Sequence, residues 1–289
     1  MTTHDPRNGH EATISIPGAQ CGIWYDGPVW NGSQTGTIGR LVIEDPEAGR
    51  ALIELAVQTL KDGGRDVVLA PMDGDTWHAY RAVVETDGAQ RFPLEPWSGE
   101  HDTACLEACG FDVVGRYVSS RAPVPDRSGE TASATAHAVP GITVTPWDGE
   151  DAAGLLDRLY AVASTSFAEK SFYKDVSKEE FLSLYGPLLG MINPRMVLFA
   201  FDRTGRMVGF LFGYADAATG SAVLKTYAAA VPGVGRMLSQ RFHDDAAAMG
   251  FDHVIHALMH VDNASLDRSA KHGGTVFRRY ALYARTTEA

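Results

Sequence analysis

The chain has 289 residues, 45% of them hydrophobic and 21% charged, and 25 Lys and Arg against 36 Asp and Glu leave a net charge of −11. This composition excludes a disordered or fibrous chain, and the length exceeds the roughly 100–200 residues usual for one domain. The acidity disfavours nucleic acid and anionic membranes as partners; it favours a cationic substrate only weakly, since most acidic proteins simply gain solubility from their charge.

Met1 to Ala12 are polar and contain no apolar secretory core. No stretch approaches the roughly 20 apolar residues of a membrane span, so the expectation is a soluble, cytoplasmic protein. Thr37 to Ile43 is predicted as a strand. Gly49-Arg50-Ala51-Leu52 then opens a helix that carries Leu52, Leu55, Ala56 and Leu60 on one face and ends at Gly63-Gly64. Val67 to Ala70 is a short apolar strand. Behind it come two aromatic clusters, Trp77-His78-Ala79-Tyr80-Arg81 and Phe92-Pro93-Leu94-Glu95-Pro96-Trp97. Such side chains either line a pocket between domains or fix the two halves together, and the second role is preferred because Trp and Tyr are costly to expose. Cys105 and Cys109 lie one helical turn apart, before a helix end at Gly110-Phe111 and a strand over Val113 to Tyr117. With Cys21 they match no CxxC ligand spacing; they read as small core residues of a reduced protein, and no metal site is expected.

Arg121 to Gly141 is rich in Pro, Ser, Thr, Ala and Gly and shows neither helical nor strand periodicity. It divides the chain into a domain over 1–120, a linker over 121–141 and a domain over 142–289. Beyond it, Ala152 to Phe167 and Lys178 to Leu189 are predicted helices, and Met196 to Phe201 with Arg206 to Tyr214 form a hairpin turning at Asp202-Arg203-Thr204-Gly205. A strand over Ala222 to Ala230 leads through Gly233-Val234-Gly235 into a helix ending at Gly250. Then follow a strand over Val254 to Met259, a polar helix start near Asn263, Gly273-Gly274 and a closing strand at Val276 to Tyr280. The order of elements repeats between the halves, pairing Gly49-Arg50-Ala51-Leu52 with Gly235-Arg236-Met237-Leu238, and Val113 to Tyr117 with Val276 to Tyr280. Strands alternating with helices imply an α/β sheet with helices on its faces. Two glycines between strand and helix let backbone N–H groups and the helix N-terminus meet a pyrophosphate, although a tight turn alone also uses glycine.

From roughly Ile142 to Arg285 the chain resembles the GNAT acyltransferase superfamily. The likeness is carried by the strand Val223 to Ala230, the turn Gly233-Val234-Gly235, the helix to Met249-Gly250, the strand Val254 to Met259 and Asn263 opening the last helix. It implies tandem GNAT-like domains, each a central mixed β-sheet flanked by helices, with the first copy degenerate. It also implies acetyl-CoA, or another short acyl-CoA, as co-substrate and a small-molecule amine as acceptor. Cofactor contacts carry over to Ala229, Val231, Gly233, Val234, Gly235, Arg236 and Asn263. Ala230 and Val231 stand where the family has Gln or Arg, and Ala270 stands where it has a Tyr that protonates the thiolate. In the first half Glu44, Asp45 and Glu47 occupy the turn, and their charge would repel a pyrophosphate. No Asp or Glu lies between Ser221 and Val231, so the candidates for proton transfer are His256, His260 and Tyr227. Lys225, on the same strand face as Tyr227, either orients an acidic acceptor or extends its head to solvent. A non-catalytic CoA-binding module and a tandem transferase using aminoacyl-tRNA are the competing readings. The oligomeric state is not legible.

Overall fold

The computed structural model describes residues 3–5, 11–124, 138–168 and 170–287. The central part of the predicted linker, residues 125–137, lies outside them.

β1 (Thr3–Asp5) pairs antiparallel with β2 (Glu11–Ile16), and Gly18 at φ +82° reverses the chain into β3 (Ala19–Trp24). Short β4 (Val29–Trp30) leads into β5 (Ser33–Ile43). The helix α1 (Pro46–Asp62) starts three residues earlier than Gly49 because Pro46 sits in its first turn and Asp45 caps it, accepting from the Glu47 and Ala48 N–H groups at 3.2 and 3.3 Å. Its buried face is Leu52, Ile53, Ala56, Val57 and Leu60. Leu55, expected there, is 46% exposed, one position off the i, i+3, i+4 stripe. Each of those buried aliphatic residues larger than Ala contributes on the order of 1.5–3 kcal/mol. β6 (Val67–Ala70) and β7 (Ala82–Thr86) precede α2 (Asp102–Ala108) and the long β8 (Asp112–Pro123). Cys21, Cys105 and Cys109 are free and buried, and burial pushes the Cys21 and Cys109 thiols up to about 12 and about 11.

The second half begins with β9 (Thr143–Pro146), α3 (Ala152–Phe167) and α4 (Lys178–Tyr185). The predicted second helix is therefore shorter, with residues Gly186–Met191 tightening into a 3₁₀ turn. β10 (Val197–Phe201), β11 (Met207–Asp216) and β12 (Ser221–Ala229) form a meander, with Gly205 at φ +81° in the predicted turn. α5 (Val234–Ala248), β13 (His253–His260), α6 (Ala264–Lys271) and β14 (Thr275–Thr286) complete the chain.

All but β4 and β7 lie in the order β1-β2-β3-β5-β6-β14-β8-β13-β12-β11-β10-β9, one continuous mixed sheet. The last strands of the two halves are exchanged. β14 lies between β6 and β8, pairing Tyr283 with Ala70 on one side and Val113 on the other, while β8 pairs with β13 from His253 to His260. The main core of the first half lies under α1 and α2, and in the second α3 and α4 cover one sheet face and α5 the other. No described helix is long and apolar enough to cross a membrane.

Candidate functional site

β12 and β13 run parallel only from Ser221/His253 to Leu224/His256. Each strand then departs from regular register. Lys225 is the extra residue of a bulge where Leu224 and Thr226 oppose Gly213 and Phe212 of β11. β13 bulges against β8 between His256 and Met259, with Leu258 at φ +58° and its N–H donating to Ser119 Oγ at 3.1 Å. Beyond these points the two strands diverge. The gap opens into a cavity of about 1090 Å³, bounded by β12, β13, α6, the α3–α4 region and residues 76–81 and 94–96 of the first half.

At the end of β12 the Ala230 N–H is held by Val208 O at 2.9 Å, and the turn follows. Gly233, at φ +87°, is the N-cap of α5 and offers it no side-chain cap. In this turn Val234 N–H already donates to Val231 O at 3.2 Å and Arg236 N–H to Gly233 O at 3.1 Å, which leaves the Gly233 and Gly235 N–H groups and the positive helix end to a ligand or solvent. Val234 and Gly235 are buried and Arg236 is exposed on the same turn; Ala229 and Gly233 are exposed and Val231 half-buried. A Cβ on Gly235 would lie 3.3 Å from the Tyr227 ring and 3.8 Å from Arg268 Cζ, so the turn sits directly against those two side chains. Asn263 caps α6, its Oδ1 accepting from Ser265 N–H at 3.3 Å, and it lines the cavity.

The first half treats the equivalent place differently. Asp45 fills its helix N-terminus with a carboxylate of the chain's own. β5 and β6 pair only from Thr35/Val67 to Thr37/Leu69, and the chain itself then closes the gap: Met72 N–H donates to Ile38 O at 2.8 Å and Arg40 N–H to Asp73 Oδ1 at 2.9 Å.

The three candidate proton-transfer residues all line the cavity but are differently engaged. His256 is buried, with Nδ1 on Ser269 Oγ at 2.7 Å and Nε2 on His243 Nε2 at 2.8 Å. Burial and the His272 charge hold it down at about 3, so it is a neutral member of a packed network in which His243 stacks on His272 at 3.9 Å. His260 Nδ1 accepts from Asp262 N–H at 3.2 Å, and its ring meets Tyr117 edge-on. Tyr227 Oη accepts from Arg268 Nη1 at 2.7 Å.

The aromatic clusters of the first half both join the halves and line the cavity. Trp77 Nε1 donates to Lys174 O at 2.9 Å, and the ring packs edge-on to Phe167, Tyr173 and Phe181. Glu95 forms a buried ion pair with Arg278, Oε2 to Nη1 at 2.6 Å, and accepts from the Tyr280 hydroxyl. Trp97, in contrast, is exposed against Arg91. Two features escape sequence reasoning. Asp75 and His78 form a dyad, Oδ1 to Nδ1 at 2.9 Å, that raises the His78 imidazole; the Asp-x-x-His spacing was its only signal. Arg268 reaches the glycine turn from a helix more than 30 residues on, a placement no local pattern encodes.

No protein-family model and no curated sequence matches the chain. Solved structures do. A GCN5-related N-acetyltransferase from Sphaerobacter thermophilus is 14% identical and aligns over 97% of this chain and 81% of its own, with a TM-score of 0.57. A tandem GNAT protein from the clavulanic acid biosynthesis pathway, determined without AcCoA, is also 14% identical, over 96% and 83%, at 0.57. A GCN5-related N-acetyltransferase from Anabaena variabilis is 11% identical over 96% and 63%, at 0.52. The mixed sheet flanked by helices is thus the fold of these acetyltransferases, along nearly the whole chain.

Proposed function

With that fold as premise, we propose that the chain is an acyl-CoA-dependent N-acyltransferase that acylates a small amine held in the cavity between the halves. The observation that carries the reading is the divergence of β12 from β13 directly before an uncapped, glycine-led helix N-terminus. The residues fit the co-substrate. The turn Gly233, Val234, Gly235 and Arg236 brings the positive end of α5 to a pyrophosphate, with the Gly233 and Gly235 N–H groups as donors, since those of Val234 and Arg236 bond within the turn. Arg268 supplies the side-chain cation that Ala230 and Val231 do not, while Ala229, Val231 and Asn263 border the path of the pantetheine arm. Bound acyl-CoA would supply the activated thioester. The strand edge of β12 beyond Leu224, released from β13, offers its backbone N–H groups to a carbonyl oxygen.

An amine needs to lose a proton before it attacks. His78 is oriented for that role, since Asp75 holds Nδ1 and leaves Nε2 as the free ring nitrogen of a cavity-lining side chain. His256 has no ring nitrogen to spare, and His260 spends Nδ1 on the Asp262 amide. Tyr227 accepts from Arg268, which leaves its O–H to donate to a leaving thiolate. The test is thiol release from acetyl-CoA across an amine panel, alongside calorimetry with acetyl-CoA. Amine-dependent thiol release supports the reading; acyl-CoA binding without release under any amine makes the chain a non-catalytic CoA-binding module.

A further inference from the structure

The cavity is cationic although the chain is acidic. Its lining carries Arg81, Lys170, Lys225 and Arg268 against Glu95 and Asp262, within a protein of net charge −11. Two of these cations act on one another, Arg81 buried and Lys225 half-buried. Arg81 is 5% exposed, set in the corner of the perpendicular Tyr80 and Tyr117 rings at 3.8 and 3.9 Å, with Nη1 donating to Leu258 O at 3.1 Å and Nε lacking any partner. Lys225, on the β12 bulge, reaches only a carbonyl, Leu94 O at 3.4 Å. Desolvation first, and then the Arg81 charge, push its ammonium down to about 7.

The one carboxylate that acts on Lys225 is already committed. Glu95 is neutralised by Arg278 and further held by the Tyr280 hydroxyl and the Phe92 N–H. Among the described residues no other acidic group offsets Arg81 or Lys225. A buried guanidinium beside a half-buried ammonium, with no counter-ion of their own, is costly to keep, and a cavity that keeps them is built for an anion. His78 of the Asp75–His78 dyad lines the same cavity, from the same loop of the first half as Arg81.

We propose that Arg81 and Lys225 bind a carboxylate of the acyl acceptor, so that the acceptor is an amino acid or a close analogue, bearing amine and carboxylate together. This rests on the acyl-transfer reading. A guanidinium and an ammonium divide the recognition: Arg81 offers fixed donors from the corner of two perpendicular rings, and Lys225 a point charge on a flexible stem. A carboxylate on the acyl donor is the other source of the same chemistry.

The experiment compares pairs differing only in the carboxylate: leucine with 3-methylbutylamine, phenylalanine with phenethylamine, and lysine with cadaverine, each with acetyl-CoA and thiol release as readout. At least one amino acid should exceed its decarboxylated partner tenfold or more in kcat/KM, mainly through KM, and Lys225→Met should remove most of that preference. Calorimetry with N-acetyl-L-leucine and N-acetyl-L-leucinamide reads the seat without turnover. The acid should bind at least tenfold tighter, and its advantage should shrink in Lys225→Met and as pH rises from 6 to 9, where Lys225 loses its charge. Lys225→Met is the primary variant because Arg81 is packed against two rings; Arg81→Gln, checked for cooperative unfolding, gives the second. Equal binding and turnover of acids and their neutral partners would overturn the proposal, as would a preference for succinyl-CoA over acetyl-CoA with plain amines. Acid-selective binding without thiol release from any amine would leave the anion seat standing and remove the transferase reading instead.

Discussion

The strand–turn–helix of the first half, β5 to α1, and that of the second, β12 to α5, share an order of elements and differ in what occupies the helix N-terminus. In the first, Asp45 supplies the negative charge that the helix dipole favours, and Met72 and Asp73 close the gap beside the strand. In the second, Gly233 caps with backbone alone and the gap beside β12 stays open. On the proposed function, a ligand seat and a structural joint are the same local architecture, separated by one carboxylate and a few residues of chain. The first half supplies cavity wall: Trp77, His78, Arg81 and Glu95 all come from it.

Separating the halves is the most drastic way to test their division of labour. Expressed alone, residues 142–289 should fail to give a soluble, cooperatively folded protein, because β14 would lose β6, β7 and β8, and β13 would lose β8. Gel filtration and thermal unfolding decide it; a monomeric fragment that binds acetyl-CoA would show that the first half is dispensable.

Next in size is Gly235→Asp, which places a carboxylate at the proposed pyrophosphate seat and against Tyr227. Acetyl-CoA affinity should fall at least about a hundredfold, roughly 2.8 kcal/mol, from a wild type binding one molecule per chain. Unchanged affinity, or two equivalent sites, would dissolve the contrast between the turns. Gly49→Asp is no mirror control, since a Cβ there would meet Ile43 Cγ2 at 2.5 Å and Cys105 Sγ at 2.9 Å.

Asn263→Ala removes the α6 cap at a stability cost of about 1 kcal/mol. If the side chain also borders the pantetheine, affinity for acetyl-CoA should drop about tenfold by calorimetry, about 1.4 kcal/mol. Intact affinity would leave Asn263 a cap only. The smallest change belongs to the first turn: Asp45→Ala should lower stability by about 1 kcal/mol in denaturant unfolding without altering acetyl-CoA affinity or stoichiometry. A second binding event in that variant would mean that Asp45 alone had kept the first turn from binding.

Local pattern carried much of this fold. Ala152 to Phe167 is a helix at the predicted limits, Asp202 to Gly205 turns as its residues demand, and the glycine turn sits where the strand period gives way to the helical one. The hairpin β2–β3 was not legible, since its half-buried strands mix polar and small residues and follow a polar leader. Nor could periodicity choose Ile53 over Leu55, because both are apolar and only the sheet decides which stripe is covered. The cavity was the least legible part. Arg81 with Lys225, Glu95 with Arg278 and Tyr227 with Arg268 are each brought together by tertiary packing of loops or a helix onto strands distant in sequence, which leaves no trace in local spacing.

The exchanged strand also sets an order in time. β14 fills the place between β6 and β8, yet its residues are synthesised about 200 positions after β6. At the usual ~5–20 residues per second, the ribosome needs roughly 10–40 s to cover that distance. Throughout that interval one edge of β6 is unpaired while its neighbours are already available, the condition under which nascent strands find partners in other chains. Yield in a fast expression host should therefore depend on elongation rate and on holding factors at the ribosome more than on the stability of the finished protein.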